Sequence, residues 1–253
     1  MIKNKLIALG AIALVSASTA GAQSELSVTT SFTYETAYMF RGVKLAENTY
    51  FPSIDVSYDA FYAGVWAALP VDTRTDNEVD FYAGYGLQLS ELMSLDLGAT
   101  YYTYPSSTDK FFDGDVNTLE FYAGLAFEVP YSPAFYVYYD IDVEAFTFEL
   151  SAGHSIEIAE NLTFDVSAAG GWVVLDDDLD SADLTDLDTY DNYGYFVATV
   201  GFGYAVTEAT SISIYASHSI ATEDYEDYGF TRGGRYEASD NETWFGFSVT
   251  AGF

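Results

Sequence analysis

The chain has 253 residues, no cysteine, and 39 acidic against eight basic side chains, a formal charge of −31. That balance excludes a nucleic-acid partner, whose phosphates would be repelled, and the missing thiols exclude disulfides, thiol catalysis and thiolate metal sites. Aromatic residues at 18% and apolar residues at 49% exclude the other fate of a very acidic chain, disorder beyond short loops.

Lys3 and Lys5 precede an apolar run from Leu6 to Val15, and Ala20-Gly21-Ala22 offers small residues for cleavage before Gln23. This is the pattern of a secretory signal peptide over residues 1–22. The run is too short to span a bilayer as a helix, which needs roughly 18 apolar residues. The domain from 23 to 253 keeps six basic residues and a formal charge of −33. Its length suits one large all-β domain or two small ones.

Apolar and polar residues then alternate in segment after segment, the period of a strand with one apolar face. The first strand is expected from Leu26 to Met39, followed by a loop from Arg41 to Thr49. Strands at 50–58 and 61–69 turn at Asp59-Ala60; those at 78–89 and 92–104 turn at Ser90-Glu91. Strand six, 117–129, turns through Pro130-Tyr131-Ser132-Pro133 into strand seven, 134–141, and strand eight covers 144–158. Ala159-Glu160-Asn161 leads into strand nine, the acidic stretch 175–189 separates that from strand ten, and Thr207-Glu208-Ala209 leads into strand eleven, 210–222. The last strand, Glu242 to Phe253, places Phe245, Phe247, Val249, Ala251 and Phe253 on one face.

Twelve strands with tight turns after the even-numbered ones and mostly longer loops after the odd ones predict an all-β, transmembrane antiparallel up-and-down β-barrel, whose strands need roughly 9 to 11 residues to cross. The aromatic C-terminal strand resembles the closing strand of a bacterial outer-membrane barrel, which the barrel assembly machinery reads. The basic residues Arg41, Lys44, Arg74, Lys110, Arg232 and Arg235 all fall on the long-loop side, where a positive rim would meet lipopolysaccharide phosphates.

Strand phase sets Glu35, Asp55, Asp80, Asp96, Glu120, Glu128, Asp140, Asp142, Glu149, Glu157 and Asp165, with Arg41, opposite the apolar face. So many carboxylates in a dry core would each cost several kcal/mol. They predict a hydrated, cation-preferring lumen, lined by Glu35, Arg41, Asp55, Asp80, Asp96, Glu120, Asp140, Glu149 and Asp165. The alternative is a plugged barrel in which hydroxyls such as those of Tyr62, Tyr82 and Tyr122 bond the carboxylates. Three Phe-Tyr-Ala-Gly copies, at 61–64, 81–84 and 121–124, place a lumen-facing Tyr where it could lie over a neighbouring Gly. The last strand's polar face, Gly246, Ser248, Thr250 and Gly252, has no carboxylate, so the acidic wall is expected to be one-sided.

Tyr38-Met39-Phe40-Arg41-Gly42-Val43, Pro52, the 61–66 segment, Gly98 to Pro105 and 120–124 together resemble the TorF family of bacterial outer-membrane porins. The resemblance is strongest over residues 28–130. Lys44-Leu45 departs from the polar pair usual in that family. The resemblance implies a porin-like barrel in a Gram-negative outer membrane, exported through the periplasm, with no established substrate.

Catalytic groups are sparse. His154-Ser155 and His218-Ser219 are immediate strand neighbours, so each pair points to opposite faces and neither is a local dyad. No enzyme activity and no cofactor are expected, with a lipid hydrolase as the rival from the enzyme class. The acidic loop carries Asp176, Asp178 and Asp180, candidates for Ca²⁺, but lacks the glycine and the terminal bidentate Glu of an EF-hand. Outer-membrane lipid and small solutes are the expected partners.

Overall fold

The structure is a computed structural model that describes residues 26–72, 75–105, 117–175, 192–222 and 241–253. The signal peptide, Arg74, Lys110, Arg232, Arg235 and the candidate calcium ligands Asp176, Asp178 and Asp180 lie outside the described residues.

Alternation is realised as strands: β1 (Ser27–Phe40), β2 (Val43–Tyr58), β3 (Phe61–Pro70), β4 (Glu78–Ser90), β5 (Met93–Thr103) and β6 (Thr118–Phe127). The second half continues with β7 (Ala134–Asp140), β8 (Ala145–Ala159), β9 (Leu162–Val174), β10 (Tyr193–Ala205), β11 (Thr210–Ala221) and β12 (Asn241–Gly252). Each strand pairs with its sequence neighbours, and β12 pairs with β1, closing the barrel. The seam runs from Thr29 opposite Gly252 to Glu35 opposite Gly246. Val28 and Phe253 exchange two backbone hydrogen bonds beyond it. The closed part of the sheet has no open edge, so its strands pair on both sides, as lipid requires.

The side chains are distributed inside out relative to a water-soluble protein. Phe32, Ile54, Phe61, Leu97, Phe121, Leu150, Trp172, Val200, Ile214, Phe245 and Phe247 stand exposed on the outer wall, while Glu35, Glu78, Asp80, Glu120, Glu149 and Asp165 are buried. An apolar exterior of that extent marks a lipid-facing surface. No described helix is long and apolar enough to cross a membrane, a fact that does not bear on strands.

One expected loop is not a loop. The stretch from 43 to 49 is the first part of β2, and β1 and β2 join through the two-residue turn Arg41-Gly42, with φ of 49° and 84°. Positive φ at both positions is the turn geometry that matches the twist of a hairpin. Pairing of β1 with β12 ends at Glu35, and pairing of β2 with β3 ends at Pro70 opposite Thr49. One further backbone bond, from Val71 N–H to the Asn48 carbonyl at 2.9 Å, follows on the β2 side; beyond it the hairpin tip, 36–47, has only its own two strands as a backbone ladder, with a bulge between Tyr38 and Met39.

The tip turns into the barrel. Val43 packs on Val173, Tyr193 and Tyr195 of β9 and β10, and Ala37 and Met39 pack on Trp244 of β12. On the other side Tyr38 and Ala46 form a cluster with Phe51 and Ala68. These apolar contacts to several walls of the loop end hold the tip across the bore.

Candidate functional site: the barrel interior

The interior has two halves of different character. Towards the tight-turn end its wall is tyrosine laid over glycine. Tyr62 lies over Gly84, Tyr82 over Gly64, Tyr122 over Gly98 and Tyr136 over Gly124, each pair directly opposite in register. A Cβ at any of these glycines would overlap the ring, so only glycine permits the close approach. Tyr195 over Gly171 and Tyr215 over Gly246 repeat the arrangement on the far wall. The Phe-Tyr-Ala-Gly copies are therefore a wall-building device.

Flattened rings send their hydroxyls to the carboxylates. Tyr62 donates to Asp96 at 2.7 Å and Tyr136 donates to the other oxygen at 3.1 Å. Tyr82 bonds Asp55, Tyr195 bonds Glu149 and Tyr215 bonds Glu35. Asp165 accepts from Thr163 at 2.8 Å and also bonds Ser155, and Asp140 accepts the turn amides of Asp142 and Val143, both at 2.9 Å. Tyr122 bonds the Tyr62 hydroxyl at 2.6 Å and, among the described residues, no carboxylate. Asp55, Tyr62, Tyr82, Tyr122 and Tyr136 stay half-buried, so this half of the interior keeps free volume.

The loop-end half is filled by the hairpin tip and carries the cations. Arg41 makes a bidentate pair with Glu120, Nη1 to Oε2 at 2.7 Å and Nη2 to Oε1 at 2.9 Å, and Tyr102 donates to the same Oε1 at 3.0 Å. The guanidinium carbon stands 4.6 Å from the centre of the Tyr138 ring and 4.7 Å from that of Phe40. Lys44 reaches Glu47 at 2.9 Å and Glu242 at 3.3 Å. Tyr38 donates to Glu78 at 3.0 Å, while Asp80 Oδ1 and Glu35 Oε2 are buried without a hydrogen-bond partner among the described residues.

Of the sequence-predicted lining residues, the structure therefore draws Arg41 and Glu120 together and leaves Asp80 beside them, with Glu35, Asp55, Asp96, Asp140, Glu149 and Asp165 distributed around the wall. Glu128, Asp142 and Glu157 are exposed at the rims instead. Arg41 and Lys44 bond carboxylates of the chain, so neither adds to a positive rim. Glu242 is a carboxylate of β12 that bonds a tip lysine, so the acidic wall does not stop at the seam; it is β3, β10 and β11 that carry no acid. Glu78 was legible from its phase, two residues before Asp80. Tyr102, Tyr138 and Tyr195 carried no signal until the tip's inward path was known.

Both histidines face outward: His218 Nδ1 lies 2.8 Å from Thr243 Oγ1, and His154 packs against the Tyr131 ring. Among the described residues no group of three or more His, Cys, Asp or Glu is arranged to hold a metal ion.

The family described as "Bacterial protein of unknown function (Gcw_chp)" matches residues 19–247. No curated protein sequence matches the chain. Among solved structures, "KdgM porin in complex with disordered oligogalacturonate" superposes with a TM-score of 0.53 at 11% identity, covering 90% of this chain and 99% of that one. "KdgM porin" gives 0.53 at 10% identity with the same coverage. "LpxR from Salmonella typhimurium" gives 0.49 at 9% identity, covering 89% and 99%. The KdgM superpositions establish a shared porin-like barrel fold.

Proposed function

We propose that this chain, which belongs to the Gcw_chp family, is an outer-membrane channel for small solutes that prefers cations and has its constriction at the inward-folded β1–β2 hairpin tip. The apolar exterior supports an outer-membrane location, reached by export through the periplasm, with the tight turns on the periplasmic side. The aromatic face of β12 serves as the barrel-assembly signal, and lipid surrounds the barrel. The porin-like fold and the TorF-like motif, whose Tyr38 to Val43 element forms the tip itself, support the channel over a purely structural barrel or a lipid hydrolase.

The observation that carries the selectivity is the charge of the interior. Arg41 and Lys44 are the basic side chains that the described interior contains, against Glu35, Asp55, Glu78, Asp80, Asp96, Glu120, Asp140, Glu149, Asp165 and Glu242. In a narrow bore with low-dielectric walls such an excess concentrates cations and repels anions. Oligogalacturonate, a polyanion, would be disfavoured here.

Reconstitution into liposomes tests the channel. Vesicles holding the protein should swell in isotonic small-solute solutions faster than empty vesicles, and faster again when the tip is released by substitution. Vesicles that swell no faster with either form than without protein would refute the channel.

A further inference from the structure

The barrel wall beneath the tip has the features of a receptor for a planar cation. Glu120 on β6 offers both carboxylate oxygens in a fork, Tyr102 on β5 fixes one of them through its hydroxyl, and Tyr138 on β7 presents a ring face at 4.6 Å. A guanidinium satisfies all of these at once, because its paired N–H groups match a carboxylate fork and its flat face stacks on an aromatic ring. An ammonium can do neither in the same way. The occupant in this structure is Arg41, and Arg41 belongs to the tip, not to the wall.

The tip's backbone bonding to the wall ends at Glu35 and Asn48. What holds it inward is side-chain contact: Arg41 on Glu120, Lys44 on Glu242, Tyr38 on Glu78 and the apolar packing of Val43, Ala37 and Met39. With Arg41 in place the Glu120 side chain is only 3% exposed, and among the described residues no other cation bonds it, so vacating the site leaves a carboxylate without its counter-charge. Such a group draws a replacement cation or opens its surroundings to water.

We propose that Glu120, Tyr102 and Tyr138 form a binding site for guanidinium-bearing solutes, which this chain fills with its own Arg41, so that an external guanidino group competes with the latch that keeps the tip closed. This deepens the cation-channel reading by naming a solute class. A tethered ligand acts at an effective concentration on the order of millimolar. A free competitor must reach similar concentrations to displace it.

The test is calorimetric titration of detergent-solubilised protein with methylguanidinium chloride, using wild type, Arg41→Ala and the double variant Arg41→Ala/Glu120→Gln. Arg41→Met, which keeps the length of the side chain's stem, serves as a second form of the vacated site. Barrel folding is verified by the heat-dependent shift in gel mobility. The proposal predicts that the vacated site binds methylguanidinium at least tenfold more tightly than wild type, that Glu120→Gln abolishes this gain, and that tetramethylammonium does not substitute. Equal binding by wild type and both vacated forms, binding that survives Glu120→Gln, or no binding by either vacated form would overturn it. Calorimetry needs no ion flow, so a barrel that binds methylguanidinium without conducting would refute the channel and leave the site standing.

Discussion

Replacing Val43 by Asp should release the hairpin tip while leaving the barrel closed. Val43 is buried at the far side of the bore against Val173, Tyr193 and Tyr195. Removing the valine forfeits about 1.5–3 kcal/mol of apolar burial, and an unpaired carboxylate in that packing costs several kcal/mol more. Together they bias the tip outward by roughly 5 kcal/mol. Since about 1.4 kcal/mol is a factor of ten, the closed-to-open ratio should fall more than a thousandfold. The pairings of β1 with β12 and of β2 with β3 lie outside the tip, so the closed sheet should survive. Trp244 reports the outcome, because it is only 6% exposed and packs on Ala37 and Met39. In a background with Trp66 and Trp172 changed to Phe, its emission should shift to the red and its quenching by acrylamide should rise. A folded Val43→Asp barrel with unchanged Trp244 emission and quenching would refute the inward path of the tip.

Gly64→Leu should destabilise the barrel by about 1–3 kcal/mol through overlap with the Tyr82 ring. Pairing it with Tyr82→Ala should recover part of that loss in urea unfolding. Tyr38→Phe removes the hydroxyl that serves buried Glu78 and should cost about 1–3 kcal/mol, again read from urea midpoints. Deleting Phe253 should reduce the amount of folded protein in outer-membrane fractions several-fold while leaving the secreted precursor abundant. Equal outer-membrane levels would remove the assembly role of that residue.

Strand number, phase and tight turns were legible because each strand has one lipid face and one interior face, which alternation records directly. Val56 and Phe121 point out and Asp55 and Glu120 point in on that basis alone. The Tyr-over-Gly wall was legible too, since register places Tyr62 opposite Gly84 and Tyr82 opposite Gly64. The tip was not, because a hairpin crossing a bore is packed on both faces: Ala37, Tyr38 and Met39 are buried in succession, which erases the period of two. Lys44 and Glu47 then make the return strand resemble a solvated loop. The Arg41-Gly42 turn was the available clue, masked by Arg at a position where Asn or Asp is usual. Carboxylate burial was legible in outline only, since which hydroxyl serves which acid follows from the register of three neighbouring strands: Tyr215 reaches Glu35 along the wall, over the Gly246 that is paired with both.

The central claim is a cation-preferring bore narrowed by the tip, and its most direct test is the reversal potential of the purified protein in a planar bilayer under a potassium chloride gradient. Wild type and Val43→Asp should both reverse on the cation-selective side, with the larger single-channel conductance in Val43→Asp. An anion-selective reversal potential in either form, or a tip-released barrel that conducts nothing, would contradict the account.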